Sequence, residues 1–334
     1  MQVKPLVLVL FGLGLIGCSS KSEEFRSREA GIQVVIRAFP SGVGRAKTGR
    51  LAHQGFEVFH QRMELLDQNA GVIADLNSRR GPLKVSDELY QVLTELTKIQ
   101  KTLGADTAAC DWSPFLASAI APLQTATEAL TDSVFERISG IAAMGRETFI
   151  RLLPDNQVAL EGPASLQLDR MTLGWAVDGA TEAMMDGGVA VGMITAGNSR
   201  RVWGTPPPDQ EWQIELPVPA DDTAQYVFEL RAGGYCSIEL SLPGIDKNYS
   251  HLYRLFNLYP NDDVYPPIGI MGWAPSGLTA AALTEAAVVM GRRRALEACA
   301  ASDSLGVILR YPKYIEIALE TDPDLSSQVS VTLP

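Results

Sequence analysis

The sequence predicts an α+β fold, with antiparallel strands packed against helices. Three observations lead there. Apolar residues recur at helical spacing in some stretches and alternate in others, without the regular strand–helix–strand order of a parallel sheet. The strand-like stretches are short and bounded by turn residues, as in hairpins. With 334 residues, 46% of them hydrophobic and 20% charged, the chain has the composition of a globular protein with a substantial core.

The N-terminus reads as a targeting segment. Lys4 precedes an apolar run over residues 6–16, too short to span a bilayer comfortably but of signal-peptide length. The run ends in Leu15-Ile16-Gly17-Cys18, which resembles a bacterial lipobox. On that reading residues 1–17 are a lipoprotein signal and Cys18 becomes the first mature residue. Acyl chains on it anchor the protein, two or more being needed for stable attachment. Ser19 in place of Asp favours the outer membrane of a bacterial envelope, with the chain facing the periplasm. Residues 18–30 are polar and read as a tether, and residues 31–334 as one domain.

Residues 31–39 alternate Ile32, Val34 and Ile36 as a strand. Residues 48–68 form a helix with Phe56, Phe59, Met63 and Leu66 on one face. Ser86 caps a second helix whose first turn carries Asp87 and Glu88, where negative charge suits the dipole. Residues 106–118 read as loop and 127–141 as a helix. A hairpin follows over residues 148–153 and 158–161, turned by Pro154-Asp155-Asn156. Residues 174–185 are helical and 189–195 a buried strand. Ala196-Gly197-Asn198-Ser199 makes a turn that exposes backbone. Strands are expected over 201–204, 211–218, 224–230, 236–240, 306–311 and 314–319. Residues 251–267 look irregular.

The most informative stretch is residues 274–291. Pro275, Ser276 and Gly277 supply turn chemistry, and Leu283, Ala287 and Met290 share a helical face. Gly291 reads as its stop, with a second short helix over 292–301. The stretch is rich in small residues, so a neighbour can approach its backbone closely.

The net charge of −11 excludes a general nucleic-acid binder, which needs a basic footprint. The three histidines, His53, His60 and His251, do not cluster, and no Cys-x-x-Cys occurs, so zinc chemistry is not indicated. Apart from Cys18, the odd set Cys110, Cys236 and Cys299 allows at most one intramolecular disulfide, which the spacing does not specify.

Several segments, in collinear order, resemble the FAD:protein FMN transferase family, the ApbE lipoproteins. Ala274-Pro275-Ser276 through Met290-Gly291 resembles its A-P-S-x-x-x-A-D-A-L-A-T segment ending in M-G. Residues 166–178, LQLDRMTLGWAVD, resemble L-D-L-G-G-I-A-K-G-Y-A-V-D. Thr195 to Ser199 resembles N-A-G-G-D, and Tyr249-Ser250-His251 resembles Y-S-H. Gly204-Thr205-Pro206 followed by Trp212, and Gly71 through Asn77, also fit, as does the lipobox.

The resemblance implies a transfer in which an acceptor threonine hydroxyl attacks the FMN phosphorus of FAD and AMP leaves. It implies Mg²⁺, held by hard oxygens from the Asp and Thr of A-D-A-L-A-T and from a backbone carbonyl. Carried over by position, it places Asn77, Thr172, Gly174, Asp178, Ala196 and Gly197 at the flavin nucleotide. Thr172 and Glu285 fall at the metal, and His251 is the candidate for handling the hydroxyl proton. It also implies a periplasmic acceptor or another envelope protein as partner.

The sequence departs from the family where the chemistry lives. The ligand Asp is Ala281 and the ligand Thr is Glu285; the family Lys is Leu173 and its two glycines are Asp169 and Arg170. The Asp after the Y-S-H histidine has become Arg254, and the second Gly and the Asp of N-A-G-G-D are Asn198 and Ser199. Reduced or lost transfer is therefore expected, as in a pseudoenzyme. Three readings stay open: a transferase with a rearranged site, a non-catalytic flavin- or nucleotide-binding lipoprotein, and an envelope interaction module.

Overall fold

A computed structural model of the chain describes residues 21–40, 42–66, 71–79, 81–102, 149–162, 166, 168–207, 212–216, 226–230, 232–239, 269–310 and 315–318. The expected helix over 127–141, the segment 251–267 with His251, and Cys18 and Cys110 lie outside the described residues.

In chain order the strands are β1 (Glu23–Glu29), β2 (Ile32–Ala38), β3 (Leu83–Lys84), β4 (Phe149–Leu153), β5 (Gln157–Glu161), β6 (Gly192–Ala196) and β7 (Ser199–Trp203). They continue with β8 (Gln213–Leu216), β9 (Tyr226–Glu229), β10 (Gly233–Glu239), β11 (Gly269–Ala274), β12 (Gly306–Arg310) and β13 (Ile315–Ala318). The helices are α1 (Arg45–Leu65), α2 (Val72–Arg79), α3 (Asp87–Thr102), α4 (Asp169–Asp186) and α5 (Gly277–Ala300). Among the described residues, eight strands form one antiparallel sheet in the order β1-β2-β6-β7-β10-β11-β12-β13. A smaller sheet, β3-β5-β4, and the hairpin β8-β9 complete the strands. Helices mixed with antiparallel sheets make the fold α+β, as expected.

One face of the large sheet is covered by α4 and α5. Every residue of α4 from Met171 to Thr181 is buried, because α1 packs on one side of it and α5 on the other. A helix covered all round needs no polar stripe, and its run Trp175-Ala176-Val177 shows none. One core lies between α1, α4 and β2–β6, with Phe56, Phe59, Ile36 and Ile194. A second joins α5 to α2, α3 and the small sheet. The third lies on the other face of the large sheet, where Trp212, Ile214 and Leu230 cover Met193, Val202 and Tyr235.

The structure differs from the sequence expectations at several elements. Residues 23–29 are not tether: they form β1, paired along its length with β2. Its charges masked an alternation in which Glu23, Phe25, Ser27 and Glu29 are the less exposed positions. Ala30 and Gly31, both at positive φ (48° and 81°), close the hairpin as a two-residue turn whose twist suits the strands. Charged residues are also what an outer strand uses to resist further pairing.

Gly291 does not stop α5, which continues to Ala300 as one helix. A helical glycine costs about 1 kcal/mol relative to alanine, and burial of Ala295 and Cys299 beyond it outweighs that. Residues 269–274, unassigned from sequence, form β11 at the centre of the sheet half. Five of its six residues are buried, so it has no polar–apolar alternation to read. Residues 72–79 form α2, which buries Ile73 and Leu76. In addition, α4 begins at Asp169, a turn before the expected start.

Candidate functional site

Residues 168–178, 195–199 and 274–291, singled out from the sequence, meet where α4 and α5 cross over the sheet. Ser276, in extended conformation, caps α5 by accepting the Thr279 N–H at 3.0 Å. The next two amides of α5 are satisfied from another helix. Gly277 N–H donates to Asp178 Oδ1 (2.7 Å) and Leu278 N–H to Asp178 Oδ2 (2.9 Å). Arg201 of β7 lies beside this carboxylate, its Nε 3.5 Å from Oδ1. Burial pushes the Asp178 carboxyl up to about 6, against the pull of the Leu278 and Gly277 amides and of Arg201.

Such a bond requires the two helices to touch backbone to backbone. Gly174 of α4 and Gly277 of α5 provide the contact: a Cβ at Gly277 would stand 2.6 Å from the Gly174 carbonyl oxygen. The small residues of the 274–291 stretch therefore serve helix crossing. Thr284, buried among alanines on α5, ties that helix to the sheet. Its Oγ1 accepts the Gly272 N–H of β11 at 3.1 Å and lies 3.1 Å from the Cys236 carbonyl of β10.

Further along α5, Glu285 reaches the first turn of α4. Its Oε1 accepts from Arg170 Nη1 at 2.9 Å, the two side chains being 33% (Arg170) and 16% (Glu285) exposed. Beneath them Cys236 is fully buried, and burial pushes its thiol up to about 11. The pair acts on that thiol with opposite sign, and the Ser199 and Thr284 hydroxyls face it. Ser199 Oγ is buried without an oxygen or nitrogen partner among the described residues.

The expected site residues are distributed as follows. Gly197 sits at the β6–β7 turn with φ of 53°, next to buried Ala196. A Cβ there would be 3.4 Å from Leu173, so the apolar side chain at the family's lysine position packs onto the turn. Asn198 holds the turn to β10, its Nδ2 donating to the Ser237 carbonyl (2.8 Å) and its own carbonyl accepting the Ser237 N–H (3.0 Å). Thr172 is buried in α4, with its Oγ1 unpartnered among the described residues. Gly174 and Asp178 make the helix crossing and the α5 cap. Asn77 binds the segment that enters α4. Its amide clamps Leu166, with Nδ2 donating to the carbonyl (2.9 Å) and Oδ1 accepting the N–H (2.7 Å). This fixes the chain entering α4. Ser199 thus lies opposite Cys236 in the β7–β10 register, beneath the helices that carry Arg170 and Glu285, while Asn77 holds the segment that leads into α4. His251 lies outside the described residues.

Sequence reading assigned no role to Thr284 or Arg201, the residues that join helices to sheet. A hydroxyl amid alanines and an arginine pair in a strand were the available signals.

The donor set does not fit the Mg²⁺ that the resemblance implies. Mg²⁺ demands an octahedron of hard oxygens. The Ala281 side chain is a buried methyl, and the Glu285 carboxylate is turned to a guanidinium. Among the described residues no three His, Cys, Asp or Glu side chains group as metal ligands.

Comparison with known proteins agrees with the motif order. No curated protein sequence matches. Solved structures do match in fold. The apo flavinyl transferase ApbE of Pseudomonas stutzeri superposes with a TM-score of 0.67 at 14% identity, over 94% of this chain and 98% of that one. The flavin transferase ApbE of Vibrio cholerae gives 0.64 at 15%, over 91% and 99%. The ApbE protein of Thermotoga maritima gives 0.61 at 15%, over 91% and 99%. The model of the ApbE family matches residues 31–309, most of the sequence, and the chain belongs to that family.

Proposed function

We propose that this protein is an envelope lipoprotein that keeps the flavin-nucleotide site of the ApbE family but has lost Mg²⁺-dependent transfer of FMN from FAD. The observation that carries the reading is the Arg170–Glu285 ion pair. It engages the carboxylate at one family ligand position, while Ala281 offers no donor at the other. Phosphoryl transfer depends on electrostatic stabilisation of charge at the phosphates, most of which a metal supplies. A carboxylate neutralised by an internal guanidinium does not replace that.

Family membership and the retained frame around Gly174, Asp178 and Gly197 support a binding site of the same descent. Cys18 is proposed to carry the lipid that attaches the protein to the membrane, with the domain in the periplasm and the outer membrane favoured.

The test uses purified chain with FAD, Mg²⁺ and a threonine-containing acceptor protein. No AMP above a control without protein is expected, together with saturable binding of FAD or FMN in calorimetry. AMP production with a flavinylated acceptor would restore the transferase reading. Flat calorimetry with both flavins would favour an interaction module, a reading that Leu173 packed onto Gly197 also fits. Metabolic labelling with palmitate, present in the wild type and absent in Cys18→Ala, checks the anchor.

A further inference from the structure

We propose that Arg170 is a built-in cation of this site, held in place by Glu285, and that it contacts the phosphate of a flavin ligand without any divalent metal. The proposal rests on the flavin-binding reading above and adds to it which group meets the phosphate.

The argument starts from charge. Arg170 and Glu285 come from different helices, and their ion pair spans the gap between α4 and α5 at 2.9 Å. Glu285 is the better covered of the two, at 16% exposure against 33% for Arg170. The carboxylate therefore acts as the inner anchor and the guanidinium as the outer, accessible group. A guanidinium carries five N–H donors in a planar fork, and its bond to Glu285 is made through Nη1. The fork geometry suits phosphate oxygens as well as carboxylate.

Position supports the same assignment. Arg170 stands in the first turn of α4, whose N-terminal end carries partial positive charge. The left-handed turn at Gly197, between β6 and β7, and the buried Ser199 hydroxyl at the start of β7 lie beneath the same helices. Ser199 lies opposite Cys236 in the β7–β10 register. Cys236 packs in the core beneath α5, whose Thr284, next to Glu285, bonds the Cys236 carbonyl. Ser199 and the ion pair are therefore on the same side of the sheet. The Ser199 hydroxyl is a second polar group on that side of the sheet.

A metal site and a guanidinium site respond oppositely to loss of the Glu285 charge. If Glu285 binds a cation that in turn binds phosphate, Glu285→Gln weakens phosphate binding. If Glu285 only neutralises Arg170, the same change leaves more positive charge for the ligand, and binding strengthens or holds.

The experiment titrates FAD, FMN and riboflavin into the full mature chain, with Mg²⁺ and with EDTA. Expected for the wild type is an FMN affinity that differs less than about twofold between the two conditions. Arg170→Met is expected to weaken FMN about tenfold or more, the loss of a charge-assisted hydrogen bond, and to leave riboflavin, which has no phosphate, within about twofold. Glu285→Gln is expected to bind FMN at least as tightly as wild type. Circular dichroism confirms that each variant is folded, and Arg170→Lys, which keeps the charge, is expected to recover part of the loss.

Mg²⁺ tightening FMN or FAD about tenfold, or Glu285→Gln abolishing a Mg²⁺ effect, would overturn the internal cation while leaving flavin binding intact. Equal loss of FMN and riboflavin in Arg170→Met would mean a structural role and would also overturn it. No binding of any flavin by the folded wild type would overturn both this proposal and the function on which it rests.

Discussion

Asp178 in the middle of α4 accepts the backbone N–H of Gly277, the first residue of α5, at 2.7 Å. With Leu278 on the other oxygen, one carboxylate caps a helix from which it is separated by about a hundred residues of chain. Replacing it leaves two buried amides unpaired and deprives Arg201 of its neighbour. Asp178→Ala is expected to cost about 3 kcal/mol, in the range for breaking buried charge-assisted bonds. Urea unfolding measures it, and a loss near zero would mean that other groups satisfy the amides.

The same carboxyl makes stability depend on pH. Its value is raised by burial to about 6 from 3.8, so the folded chain holds a proton that the unfolded chain releases between those values. The associated stabilisation is complete below the unfolded value and is lost as pH rises through about 6. Between about pH 4 and 7 the wild type should lose up to about 3 kcal/mol relative to Asp178→Asn, which cannot titrate. Parallel urea curves across that window test the sign.

The Gly174–Gly277 crossing leaves no room for a methyl group. Alanine is the better helix former by about 1 kcal/mol, yet Gly174→Ala is expected to destabilise by about 1–3 kcal/mol, the usual penalty of overpacking. A higher melting temperature for the variant would show that the helices can separate at little cost.

Asn77 was expected at the flavin and is found holding Leu166. Asn77→Ala removes an acceptor and a donor from a half-buried clamp and should cost about 1–3 kcal/mol. Flavin affinity of the folded variant should change less than about twofold. A large affinity loss with unchanged stability would return Asn77 to the ligand.

Cys236 and Cys299 are free thiols, both buried, and burial pushes them up to about 11 and about 12. Thiolate is the reactive form, so neither should be alkylated by N-ethylmaleimide at neutral pH until the protein unfolds. Peptide mass spectrometry before and after urea addition reads this residue by residue.

Much of the fold was legible in local pattern. The alternation Ile32–Val34–Ile36, the Ser86 cap and the Phe56–Phe59–Met63 spacing each repeat a period that burial of one face imposes. β11 was not legible, because a strand buried on both faces has no alternation. β1 was hidden by its charges, which belong to the outer edge of the sheet. The run through Gly291 was misread because a glycine's local cost is decided by what packs beyond it, here Ala295 and Cys299.

The sequence by itself determined the α+β class, the order of motifs that marks ApbE descent, and the replacement of a ligand aspartate by Ala281. The class follows from local periodicity, and the other two from the resemblance of short segments to the family's motifs. Only the tertiary structure decided what the replacements do. That Glu285 finds Arg170, that Asp178 caps α5 and that Asn77 holds Leu166 each join residues distant in sequence. No periodicity encodes such pairs; they follow from how closely two helices approach, which the glycines at 174 and 277 permit.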